Sequence, residues 1–171
     1  PSCREDLQLV GKAPVLPYVP ELEPAAEKKG LRVLAVWENG FRHITNSKRP
    51  INVPDDLKGI KLRVPEGKWR VKMFQEYGAN PSPMKFSEVF TALQTGVMDG
   101  QENPFNTILS SKFFEVQKYL SVTNHVYSPW IMLVSKKWWD SLTKPEQEII
   151  MKAAIATRDF ERKDTRAEAA K

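Results

Sequence analysis

Arg63, Phe86 and the pair Glu102-Asn103 stand where the patterning of the sequence places strand ends or the start of a helix. Gly59-Ile-Lys-Leu-Arg-Val64 alternates apolar and basic residues, so Ile60, Leu62 and Val64 share one face of a strand and Lys61 and Arg63 the other. An arginine at the end of such a strand presents a planar fork that matches a carboxylate with two parallel hydrogen bonds. The Asn103 amide can donate a further bond to the same group. Phe86 can form an apolar wall that excludes water and strengthens the polar contacts. In open α/β sheets, ligands bind outside the carboxyl ends of the strands. Each residue also has an ordinary explanation. Arg63 can be a solvated strand arginine, Phe86 core packing, and Asn103 a turn or helix cap before Pro104. Composition and spacing leave both readings open.

Other chemistry is poorly supported. The 171 residues carry no glycine-rich dinucleotide fingerprint, no phosphate-binding loop and no nucleophile elbow. Cys3 is the single cysteine, and His43 and His125 are the two histidines, so no metal set or cofactor is expected. Asp55-Asp56 follow Pro54, where aspartate usually serves turn geometry. An enzyme is therefore not expected. Hydrophobic residues make up 41% and charged residues 27%, the balance of a globular chain of one domain or one plus a fragment. The 26 Lys and Arg against 21 Asp and Glu leave +5, too small and dispersed an excess for nucleic acid. No apolar run approaches the roughly 18 residues a membrane span needs. A basic segment followed by an apolar one is not found at the N-terminus, so no signal peptide is read there.

The elements that must position these residues follow from periodicity. Residues 1–30 form an irregular segment rich in proline, ending in a short helix stopped by Gly30. Residues 31–127 alternate strand and helix signals: a strand over 31–37 with a turn at Asn39-Gly40, and a strand over 59–64 ended by Pro65. Helices are predicted over 68–77, stopped by Gly78, and over 87–98 with Ser87 as N-cap. Pro104 can start another helix at its first position, and a strand follows over 119–123. Residues 128–171 carry a returning strand, Trp130–Val134, and a helix opened by the capping box Thr143-Lys-Pro-Glu146. Strands separated by helices imply an α/β lobe with a mixed sheet.

Several ordered stretches resemble one family. Leu57-Lys-Gly-Ile-Lys-Leu-Arg-Val-Pro65, Gly78-Ala-Asn-Pro-Ser-Pro-Met84, Phe86-Ser-Glu-Val-Phe90, Ala92-Leu-Gln-Thr-Gly96 and Asp99-Gly-Gln-Glu-Asn-Pro104 carry the likeness. Trp37–Arg42, Asn46–Ile51, Phe113–Tyr119 and Thr123–His125 extend it. Over about residues 22 to 160 the chain is similar to the solute-binding proteins of TRAP (tripartite ATP-independent periplasmic) transporters, the DctP type. The resemblance implies a periplasmic-binding-protein-like α/β fold of two lobes. It implies a periplasmic receptor that takes a small organic acid and delivers it to a sodium-driven membrane permease. The carboxylate-clamping arginine of the family falls on Arg63, its assisting asparagine on Asn103 and its aromatic wall on Phe86. Arg42 matches a second arginine near the ligand in some members, and Glu102 and His125 fall in the polar surroundings. One of the two lobes, and the closing C-terminal helices, are expected to be largely missing from this chain. The alternative is a truncated remnant that binds nothing and acts at most as an interaction module.

Overall fold

The structure, a computed structural model, describes residues 19–170. In chain order the elements are helix α1 (Val19–Glu27), strand β1 (Leu31–Asn46), a 3-10 turn (Pro54–Leu57), β2 (Lys61–Val64), α2 (Lys68–Glu76) and β3 (Asn80–Pro83). A second 3-10 turn (Phe86–Glu88) leads into α3 (Val89–Gln94), β4 (Gly100–Pro104) and α4 (Phe105–Ser110). A third 3-10 turn (Phe113–Glu115), β5 (Tyr119–Ser135), α5 (Lys136–Asp140) and α6 (Lys144–Ala169) complete the chain. The fold is mixed α/β, with one five-stranded sheet in the order β3-β2-β4-β1-β5. β2 is parallel to both β3 and β4, whereas β1 runs antiparallel to β4 with Arg42 opposite Pro104 and Asn46 opposite Gly100.

Two compact units divide the described residues: 19–38 with 129–167, and 39–128 with 168–170. β1 and β5 each pass from one unit into the other along the chain. In the first unit Leu34 and Ala35 of β1 are buried with Trp139 of α5 and Ala154 of α6. At the head of α6 one half of the predicted capping box is present, Glu146 Oε2 accepting from Thr143 N at 2.7 Å, while Thr143 Oγ1 donates to the same oxygen at 2.7 Å instead of accepting from the helix backbone.

The second unit has two apolar clusters. Ile44, Leu57, Ile60, Leu62, Val64 and Phe74 form one, and Val89, Leu93, Met98, Ile108 and Phe113 the other. The predicted alternation holds along β2 and the residue before it, where Ile60, Leu62 and Val64 are buried. Arg63 points to the other face and is buried as well. Gly100 lies where a Cβ would meet the backbone oxygen of Thr45 and, at 2.7 Å, the Asn46 Cβ, so only glycine lets β4 approach β1 so closely.

Several elements differ from their sequence reading. The Asn39-Gly40 pair does not turn the chain. β1 continues through it to Asn46, with Gly40 at a φ of 106°, because residues 42–46 find pairing partners on β4. The separate strands read over 119–123 and 130–134 are one strand of 17 residues. Ser87 lies inside a 3-10 turn rather than at a helix cap, and the helix after it covers only Val89–Gln94. Pro24 sits inside α1, which tolerates it over nine residues. The proline-rich stretch before Val19 lies outside the described residues.

Candidate functional site

The candidate residues of the sequence converge within the second unit. Antiparallel pairing places Arg42 and His43 of β1 beside Asn103 and Pro104 of β4. Glu102 is the hub. Its residue is 0% exposed, and its carboxylate accepts from Arg42 Nε (2.5 Å to Oε2), Arg42 Nη2 (2.9 Å to Oε1), Arg70 Nη1 (2.9 Å to Oε2) and His125 Nε2 (2.9 Å to Oε2). Three of these donors share Oε2 and one reaches Oε1, so the carboxylate is tied to three side chains at once. A carboxylate only accepts, so Nε2 of His125 carries the proton between them, and Thr123 Oγ1 lies 2.8 Å from Nδ1. Burial pushes the Glu102 carboxyl up, but the His125 and Arg42 hydrogen bonds and the Arg42 and Arg70 charges outweigh it, leaving the group below the usual carboxylate range.

Arg42 is spent inside the protein. Besides the two carboxylate bonds, its Nη2 donates to the Glu102 carbonyl at 2.6 Å and to Asn103 Oδ1 at 3.1 Å. That last bond orients Asn103, whose Nδ2 donates to Gln101 Oε1 at 2.5 Å. Gln101 in turn donates to Thr45 Oγ1, which donates to Gln117 Oε1. The Asn103 amide nitrogen keeps a second N–H for another acceptor.

Arg63 is held differently. Only 4% of the residue is exposed, and its Nε and Nη2 both donate to the Met84 carbonyl, at 3.0 and 2.6 Å. Its guanidinium lies 5.8 Å from the centre of the Phe86 ring, which is 49% exposed and also meets Phe113 edge-on at 6.0 Å. Among the described residues Arg63 Nη1 has no hydrogen-bond partner. Burial lowers the Arg63 pKa, and the charge of Glu102 offsets part of that. One edge of the fork is thus fixed by a carbonyl while the other is left open.

The sequence reading overlooked Arg70. It lies near the start of α2, its side chain is 20% exposed, and nothing in helix periodicity distinguishes it from the neighbouring Lys68 and Lys72. Only the fold reveals that it reaches Glu102 across 32 residues of chain. His43, the second histidine, stacks on Phe105 with ring centres 3.9 Å apart, and burial first and the nearby His125 second lower its pKa to about 4. Among the described residues no group of three or more His, Cys, Asp or Glu could hold a metal ion. Among them no helix is long and apolar enough to cross a membrane.

The comparisons with known proteins agree with this architecture. The family model for the bacterial extracellular solute-binding proteins, family 7 (DctP), matches residues 6–171, and the chain belongs to that family, one of transport solute-binding proteins and not of enzymes. It is 45% identical over 143 residues to the 2,3-diketo-L-gulonate-binding periplasmic protein YiaO of Escherichia coli, covering 84% of this chain and 44% of the relative. Among solved structures, the sugar acid binding protein DctPAm of Advenella mimigardefordensis, in complex with galactonate, is 48% identical with a TM-score of 0.85. That match covers 88% of this chain and 49% of the other. A TRAP periplasmic solute-binding protein from a Polaromonas species, bound to D-erythronate, is 44% identical with a TM-score of 0.81, over 88% and 51% of the two chains. The chain thus spans about half the length of the relatives it matches.

Proposed function

We propose that the chain carries the carboxylate-holding part of an extracytoplasmic solute receptor of a TRAP transporter, and that its ligand is a small organic acid of the sugar-acid type. In this reading residues 31–127 form the ligand-binding lobe, and 128–171 supply the returning strand and helices that belong with the other lobe. Arg63 clamps the carboxylate, Asn103 adds its spare N–H, and Phe86 walls the site. Arg42, Glu102 and His125 hold Asn103 and the surrounding charges in place. The receptor works in the periplasm and passes its acid to membrane permease subunits.

The observation that supports this best is the half-satisfied Arg63, buried, pinned along one edge by the Met84 carbonyl and open along the other beside an exposed phenyl ring. The open Nη1 edge is not sealed in the core, so an incoming anion can take the place of water on it. The guanidiniums of Arg42, Arg63 and Arg70 outnumber the carboxylates of Glu102 and Glu66 that act on them, which leaves one positive charge among these groups. Galactonate and D-erythronate, the acids bound by two similar structures, each bring the anion such a site needs.

The test is a thermal melt of the 171-residue chain with galactonate, erythronate, succinate and a chloride control. An acid present at about 100 times its Kd stabilises by roughly 2.7 kcal/mol, a shift of several degrees. A melt that no carboxylate moves beyond chloride would replace this reading with that of a non-binding remnant.

A further inference from the structure

Arg70 is held by one hydrogen bond, to Glu102 Oε2 at 2.9 Å, out of the five its guanidinium can donate. Its other N–H groups have no partner among the described residues, and its side chain is 20% exposed. Arg42, on the same carboxylate, shows what a purely internal cation looks like here: 5% exposed and spread over Glu102 and Asn103. Glu102 would already be balanced by Arg42 alone, with His125 as a third donor. Arg70 therefore adds a charge and a set of donors that the interior does not require.

Taking Arg63 as the carboxylate clamp, as proposed above, we propose that Arg70 is a specificity-determining residue that donates to a second oxygen group of the ligand, a hydroxyl or a second carboxylate. Glu102 anchors one Nη1 hydrogen of Arg70 and sets the plane of its fork, as the Met84 carbonyl does for Arg63. Two forks, each tethered on one side, would read two separated polar groups. A simple fatty acid would satisfy Arg63 and leave the Arg70 donors without a solute partner. A polyhydroxy acid satisfies both. Loss of a charge-assisted hydrogen bond weakens binding roughly 10- to 100-fold.

The test compares galactonate with hexanoate, which has the same number of carbons and one carboxylate but no hydroxyl. Affinities are measured by calorimetry, with ligand-observed NMR for the weaker acid, on wild type, Arg70→Met, Arg70→Lys and Arg63→Met. Arg70→Met is expected to weaken galactonate about 10- to 100-fold and leave hexanoate within twofold. Arg70→Lys keeps a charge on Glu102, guards against a folding defect, and is expected to weaken galactonate at least fivefold. Arg63→Met is expected to abolish binding of both acids. An unchanged galactonate affinity in both Arg70 variants, or an equal loss for both acids, overturns the role of Arg70 while Arg63→Met still reports on the clamp. Binding that survives Arg63→Met overturns the clamp itself.

Discussion

Replacing Glu102 by glutamine changes one atom type at the most connected point of the protein. The carboxylate is wholly buried and takes four hydrogen bonds from three side chains, two of them arginines. Whichever way the new amide turns, its NH2 group faces a donor: Arg42 Nη2 at one position, or Arg42 Nε, Arg70 Nη1 and His125 Nε2 at the other. The buried Arg42, 5% exposed, also loses its counter-charge. Breaking a buried pair from one side costs about 3–5 kcal/mol. At about 2–4 °C of Tm per kcal/mol for a chain of this size, the expected drop is about 6–20 °C. Urea unfolding followed by circular dichroism measures it. A double-mutant cycle with Arg42→Met is expected to return a coupling above about 1 kcal/mol, since the two residues share their bonds. A loss below about 1 kcal/mol in Glu102→Gln would refute the view that this carboxylate holds the arginines together.

Two other perturbations have defined outcomes. Folded His43 takes a proton only near pH 4, whereas an unfolded histidine does so near 6.5, so the unfolded chain binds more protons between those values. Stability is therefore expected to fall as pH drops from 6.5 towards 4, by up to roughly 3 kcal/mol from this group, and His43→Phe to flatten that slope in urea titrations at pH 7 and 4.5; an unchanged slope contradicts the assignment. Protonation of Glu102 acts in the same direction, at pH values below the ordinary carboxylate range. Gly100→Ala would drive a methyl group into the Thr45 backbone and Asn46, costing about 3 kcal/mol, and a melt within 2 °C of wild type would contradict the close approach of β1 and β4.

How much of this was legible in the sequence depends on the range of the interaction. Local signals worked where the physics is local. Glu146 reaches back to the Thr143 N–H at the head of α6 as the spacing predicts, and Pro65 and Gly78 bound β2 and α2. The Asn39-Gly40 reading failed because a turn dipeptide competes with long-range pairing, and the ladder to β4 prevailed. At the site, the alternation of residues 59–64 put Arg63 on the face opposite the core residues. It could not show that the Met84 carbonyl, 21 residues on, would tether one edge. The Glu102 hub draws donors from β1, α2 and β5, three elements far apart in the chain. Periodicity says nothing about such convergence, and Arg70 was invisible for that reason.

The central claim is that Arg63 recognises a carboxylate through its geometry and not merely its charge. Calorimetric titration of galactonate into wild type and Arg63→Lys tests it most directly. Lysine can still donate to the Met84 carbonyl and keeps the positive charge, but it has no fork to offer the ligand. The account predicts an affinity at least tenfold weaker in the lysine variant, with little change in melting temperature. Equal affinity in the two proteins would contradict it.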